Sequence, residues 1–143
     1  MNKVSISIGF VLASLSAACA TNASTAPSST TPTPASPTVT ETFVGALPVG
    51  GVKFYSFSVS AYGTVNATLV SIGGDGVPPT VTVNLGIGTP SGTTCSVSSP
   101  TMVQVGGTAQ VTATEQPGVY CATISDIGNL AATGTFTVTI DHP

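Results

Sequence analysis

The side chains in this sequence that could do chemistry are three cysteines, one histidine and five carboxylates. Cys19 closes an apolar N-terminal segment, whereas Cys95 and Cys121 lie far downstream in a region of strand-like sequence. An apolar leader indicates export, and exported proteins meet conditions in which thiols are oxidised. We therefore predict a disulfide between Cys95 and Cys121. A metal site on these two thiols would need further ligands, so we expect neither a metal nor a cofactor.

The histidine and the carboxylates do not form a catalytic pattern. His142 stands next to the C-terminal residue, where we expect the chain to fray. The sequence has no G-x-S-x-G motif, and nucleophilic catalysis needs a base and an orienting acid near the nucleophile. The carboxylates are scattered along the chain at Glu41, Asp75, Glu115, Asp126 and Asp141. We predict turn and capping roles for the aspartates, no catalytic residues and no enzymatic activity.

Residues 1–19 have the pattern of a signal peptide. Lys3 supplies a positive charge, residues 4–15 are mostly apolar, and small residues precede Cys19. The apolar run is shorter than the roughly 20 residues that a membrane-spanning helix needs. The end of the run resembles a bacterial lipobox, with Ser16 where leucine is usual, and this resemblance implies a lipid on Cys19 that attaches the protein to a membrane. The alternative is an ordinary cleavage site that is cut before Thr21, which would give a secreted protein.

Two regions follow the signal peptide. Residues 20–37 are almost entirely Ala, Ser, Thr, Pro and Asn, which predicts a disordered, semi-rigid linker. Residues 38–143 are enough for one hydrophobic core and predict a single domain.

Apolar and polar residues alternate almost throughout this domain. Residues 135–140 place their apolar side chains on one face, and residues 80–88 repeat the pattern with Gly86 pointing outward. Tyr55 shares the inner face with Phe57. This period of two, broken by Gly and Pro turns, predicts an all-β antiparallel β-sandwich of about eight or nine strands. We expect strands near 39–47, 52–60, 64–72, 80–88, 93–97, 101–105, 108–114, 118–125 and 133–141.

The domain also contains a familiar order of short motifs. They are Glu41–Leu47, Gly50-Gly51, Phe54–Val59, Pro117–Cys121 and Phe136–Ile140. This order resembles the bacterial pre-peptidase C-terminal (PPC) domain, a β-sandwich of jelly-roll type that is often attached to secreted peptidases. The resemblance implies that fold for residues 38–143. No catalytic domain precedes it in this sequence, and Glu41 is the only acid near its start, so calcium and collagen binding cannot be carried over.

The net charge and two aromatic residues indicate which kinds of ligand the domain binds. The net charge is −3 and Lys53 is the only basic residue after the signal peptide, so the domain has no basic surface for nucleic acid. Phe54 lies on the face opposite Tyr55 and Tyr62 lies at a turn, which makes Phe54 and Tyr62 candidate ligand contacts. We predict a non-catalytic exported cell-envelope protein that binds a protein or polysaccharide or has a structural role. The alternative is an accessory subunit or small hydrolase of the envelope.

Overall fold

The computed structural model describes residues 38–143 and consists of strands joined by turns. The strands are β1 (Val39–Leu47), β2 (Val52–Val59), β3 (Gly63–Gly73), β4 (Val83–Ser91), β5 (Thr94–Ser96), β6 (Thr101–Val103), β7 (Val111–Glu115), β8 (Gly118–Asp126) and β9 (Gly134–His142). Within these described residues no helix is long and apolar enough to cross a membrane.

The strands form two antiparallel sheets that pack face to face. Sheet 1 has the order β1-β9-β3-β7, and sheet 2 has the order β2-β8-β4, with both β5 and β6 paired to β4. Consecutive strands from β1 to β4, and again from β7 to β9, alternate between the two sheets, which is the strand order of a jelly roll. The prediction of an antiparallel β-sandwich of jelly-roll type is confirmed.

The core lies between the sheets and follows the period-two pattern of the sequence. Phe136, Val138 and Ile140 of β9 are buried, because alternate side chains of a strand point to the same face. Tyr55 faces inward as predicted and stacks on Phe43 with ring centroids 4.7 Å apart. The other buried apolar residues include Leu47, Phe57, Val59, Val65, Leu69, Val83, Leu85 and Ile124.

Two strands begin about three residues later than the sequence predicts. Residues 80–82 precede β4 without a strand partner, because side-chain amides take the place of a neighbouring strand. Gln104 donates to the Thr80 carbonyl, and Asn129 donates to the Thr82 carbonyl. Before β7, the Gln110 side chain accepts a hydrogen bond from the backbone N–H of Leu69. Polar side chains therefore form hydrogen bonds with backbone groups that have no partner in a neighbouring strand.

The predicted disulfide between Cys95 and Cys121 is present. The two Cα atoms are 5.9 Å apart, and Cys121 is fully buried. Cys121 lies in β8 opposite Gly88 of β4, and it points to the outer side of sheet 2, away from the core residue Ala122. Since Cys95 is the middle residue of β5, the bond ties β5 to the outer side of β8 in sheet 2.

Residues 96–100, which we call the covering segment, lie against the outer face of β4. A Cβ atom on Gly86 would be 2.6 Å from a methyl group of Val97, and a Cβ on Gly88 would be 2.1 Å from the carbonyl oxygen of Ser96. Only glycine allows such a close approach of two backbones. Gly86 points outward, as the alternation predicts, but it is buried because the covering segment lies over it.

Candidate functional site

An open cleft with a volume of about 370 Å³ lies at one end of sheet 1. Tyr62, in the turn between β2 and β3, is 64% exposed and forms one side of it. Asn66 of β3 and Asp141 of β9 supply an amide and a carboxylate. The remaining lining residues are Thr38, Gly63, Thr64 and Pro143. We call this cleft the Tyr62 cleft.

The polar groups of the Tyr62 cleft belong to a row that crosses sheet 1. Thr40 lies opposite Asp141, Asp141 lies opposite Asn66, and Asn66 lies opposite Thr112. The Thr40 hydroxyl donates to Oδ1 of Asp141, and the Thr112 hydroxyl donates to Oδ1 of Asn66 at 3.0 Å. These bonds hold the carboxylate and the amide in fixed positions. Both residues line the open cleft, where a ligand could reach the remaining lone pairs and the Asn66 amino group.

Phe54, the other candidate contact, lies elsewhere. It is half-buried on the outer side of β2, where it pairs with Thr123 of β8 in sheet 2. Tyr62 lies beside the outer face of sheet 1. The structure therefore does not bring Phe54 and Tyr62 together, and a ligand of small size can contact one or the other but not both.

A second cleft, of about 340 Å³, lies beside the covering segment. Tyr120 and Glu115 line it together with Ser96 and Ser98. Desolvation and the neighbouring Glu115 carboxylate raise the pKa of Tyr120. Its phenol donates a hydrogen bond to the Gln116 carbonyl oxygen at 3.0 Å. The phenol thus forms its hydrogen bond within the turn between β7 and β8.

The sequence-based expectation that His142 frays is wrong. Its ring is buried against Phe57 with centroids 5.4 Å apart, and Nε2 is 3.0 Å from Oε1 of Glu41. The next residue is also fixed, because the backbone N–H of Ser60 donates to the Pro143 carbonyl oxygen at 2.9 Å. The only hydrogen bonds to His142 side-chain atoms, among the described residues, involve Glu41 and Pro143. Within residues 38–143, therefore, the imidazole makes no hydrogen bond to a hydroxyl or a thiol.

Asp126 has the structural role that its place before Gly128 predicts. Oδ1 accepts hydrogen bonds from the backbone N–H groups of Gly128, Asn129 and Leu130, and Oδ2 accepts one from Gly50 at 2.8 Å. These bonds, with that from Gly50 the strongest influence, hold the pKa of Asp126 below its ordinary value of 3.8. Asp126 thereby joins the β8–β9 loop to the turn between β1 and β2.

Replacing Asp126 by asparagine should lower the melting temperature at neutral pH, because the charged acceptor is lost. A carboxyl group whose pKa is depressed by folding stabilises the protein above its unfolded pKa, and this stabilisation disappears as the pH falls through the folded pKa. The difference in the free energy of unfolding between wild type and Asp126→Asn should therefore have its largest value above about pH 5 and become smaller below pH 3.8. Urea denaturation between pH 2 and pH 7 measures it, with Asp75→Asn in an exposed turn as the control. A difference that does not change with pH would contradict the role assigned to the charge.

No family model matches this chain, and no curated protein matches it. The resemblance to PPC domains therefore stays a prediction. Cys19, the signal peptide (1–19) and the linker (20–37) lie outside the described residues, so lipidation and export stay predictions as well. Among residues 38–143, no three His, Cys, Asp or Glu side chains are grouped in a way that could hold a metal ion.

Proposed function

We propose that this protein is a non-catalytic, PPC-like β-sandwich module of the cell envelope, attached to a membrane by a lipid on Cys19, and that it binds polysaccharide at the Tyr62 cleft. The observation that carries the proposal is the exposed ring of Tyr62 beside the polar groups of Asn66 and Asp141. A tyrosine offers a flat apolar ring with a polar end. A sugar ring likewise has an apolar face of C–H groups and a rim of hydroxyls.

The polar groups of the cleft suit hydroxyl ligands. The Asp141 carboxylate accepts hydrogen bonds, and the Asn66 amide both donates and accepts them. A few well-placed polar groups beside an apolar surface are the usual composition of a small-molecule site. The absence of lysine and arginine from the cleft lining disfavours a strongly anionic ligand, so a neutral glycan fits better.

The engagement of two other carboxylates, Asp126 and Glu41, supports a non-catalytic role. Asp126 is held by four backbone N–H groups, and Glu41 is paired with the buried His142. Each of these contacts stabilises the fold. A hydrolase would need such groups directed at a substrate.

Tyr62→Ala should weaken glycan binding about tenfold, because the ring that would stack on the sugar is removed. Lys53→Ala should leave the affinity unchanged, and binding should depend little on salt because no cation contributes. Isothermal titration with neutral oligosaccharides at two salt concentrations measures both effects. Phe54→Ala separates the two candidate contacts. A loss of binding with Phe54→Ala and none with Tyr62→Ala would move the site to sheet 2 and contradict the proposal.

The proposed anchor has its own test. Mass spectrometry of the N-terminal peptide of the mature protein should find acyl groups on Cys19. A free N-terminus at Thr21 would show instead that the protein is secreted.

A further inference from the structure

The outer face of sheet 1 consists largely of threonine. Every strand of the sheet contributes outward threonines, because the residues between them point into the core. They are Thr40, Thr42, Thr64, Thr112, Thr114, Thr135, Thr137 and Thr139. Side chains on one face repeat about every 6.7 Å along a strand and about every 4.8 Å between strands. Sheet 1 therefore presents a grid of methyl and hydroxyl groups, which the exposed Val44 interrupts on β1 and the bulge between Leu69 and Ser71 interrupts on β3. Thr68 also faces outward but is buried.

This threonine face is almost free of charge. Asp141 is the only ionisable residue on the outward side of the four strands, and Thr40 already donates a hydrogen bond to it. The outer face of sheet 2 differs, because the covering segment occupies its centre at Gly86 and Gly88. The two faces of the sandwich are therefore not equivalent, and sheet 1 alone offers an open, hydroxyl-rich surface with a single charged side chain, Asp141.

The threonine face is continuous with the Tyr62 cleft. Thr64, Asn66 and Asp141 line the cleft and also stand on the outward side of β3 and β9. From this shared row the grid continues along β9 through Thr139, Thr137 and Thr135. A ligand that fills the cleft and extends past Asp141 must pass over these hydroxyls.

We infer that sheet 1 binds an extended, uncharged polysaccharide chain, with one part of the chain in the Tyr62 cleft and several further sugar units on the threonine face. The inference rests on the proposed function and specifies its ligand. An uncharged chain matches a surface without cations, since an anionic polymer would meet Asp141 and find no compensating lysine or arginine. Threonine matches the chemistry of sugars, because its hydroxyl pairs with their hydroxyls and its methyl group contacts their C–H groups. The four strands span about 14 Å across the sheet, so only a ligand longer than a disaccharide contacts both parts of the site.

The test compares the affinity of the full-length exported protein for long and for short ligands. The polymers are chitin, cellulose and a β-1,3-glucan, and the short ligands are the corresponding disaccharides. Thr42→Lys/Thr137→Lys, which adds bulk and charge to the face, should weaken binding to the preferred polymer at least about tenfold. The same double variant should leave the affinity for the disaccharide within about twofold of wild type, because the cleft is untouched. Thr42→Val/Thr137→Val keeps the shape and the methyl groups, and it should lose a smaller part of the polymer affinity.

The matched control is Ser56→Lys/Ser58→Lys on the exposed outer side of β2, which adds the same charges to sheet 2. It should change neither affinity. Circular dichroism and the melting temperature verify that each variant is folded, and the valine variant remains informative if the lysine variant is unstable.

The outcomes separate this inference from the proposed function. If Tyr62→Ala weakens both ligands while the threonine variants bind the polymer normally, the ligand is confined to the cleft and the inference is wrong. If no polymer and no disaccharide binds, the proposed function is wrong as well. If wild type sediments as a dimer and Thr42→Lys/Thr137→Lys as a monomer, a second copy of this chain covers the face, which also contradicts the inference.

Discussion

Replacing Cys95 by serine should lower the free energy of unfolding by about 3.5 kcal/mol, on the chain-entropy estimate for two cysteines that are 26 residues apart. The bond restricts the unfolded chain, so its loss favours the unfolded state. For a domain of about a hundred residues this corresponds to a melting temperature lower by more than about 10 °C. Thermal denaturation followed by circular dichroism measures the shift.

Cys95 is the better position for this test because Cys121 is fully buried. Cys121→Ser would also place a hydroxyl in a fully buried position, and its effect should exceed that of Cys95→Ser by the cost of burying that group. Wild type in the presence of a reductant strong enough to open the bond should behave like Cys95→Ser. Equal melting temperatures for the oxidised wild type and Cys95→Ser would show that the bond contributes little to stability.

Gly88→Ala should destabilise the domain by about 3 kcal/mol, near the upper end of the usual range for overpacking. The new Cβ would stand 2.1 Å from the carbonyl oxygen of Ser96, which is backbone and cannot rotate away. The covering segment would have to move off β4, and this movement would also strain the neighbouring disulfide between Cys95 and Cys121. Chemical denaturation gives the free energy, and titration of free thiols after incubation with a fixed concentration of dithiothreitol shows whether the disulfide is reduced more readily than in wild type.

Gly73→Ala in β3 is the control for Gly88→Ala. No atom lies within 4 Å of the position that its Cβ would take, so the substitution should be neutral or should stabilise the strand by less than about 1 kcal/mol. If Gly88→Ala proved as mild as Gly73→Ala, the covering segment would not be held against β4 in the way that the structure indicates.

The strands and the core could be predicted because they depend on the alternation of apolar and polar residues along the chain. Residues 135–140 alternate, and the side chains that this alternation assigns to the interior are buried. The alternation also predicts that Tyr55 faces the core, and the neighbouring Gly63 predicts a turn at Tyr62; in the structure Tyr55 packs on Phe43 and Tyr62 is exposed. Asp126 fulfils the turn role expected from its neighbours in sequence.

The features that escaped prediction depend on residues far apart in the chain. The position of His142 next to the C-terminal residue predicts fraying, but β9 is a central strand of sheet 1, and Ser60 and Glu41 hold its end from other elements. Gly86 fits an outward position by parity, but nothing local reveals that Val97 lies over it. The meeting of Tyr62, Asn66 and Asp141 follows from the pairing of β3 with β9. Strand order is not encoded in alternation, so this cleft could not be located from sequence.

The pairing of β1 with β9 also affects how the domain can be joined to other chains. Val39 lies opposite His142, so the first and last residues of the sandwich stand side by side. A fold with adjacent ends tolerates circular permutation and can be inserted into a surface loop of another protein. The two host residues that flank the insertion would need to be separated by little more than the distance between two neighbouring strands, about 5 Å. The sandwich is therefore suited to be inserted into a host protein, or removed from it, as one unit.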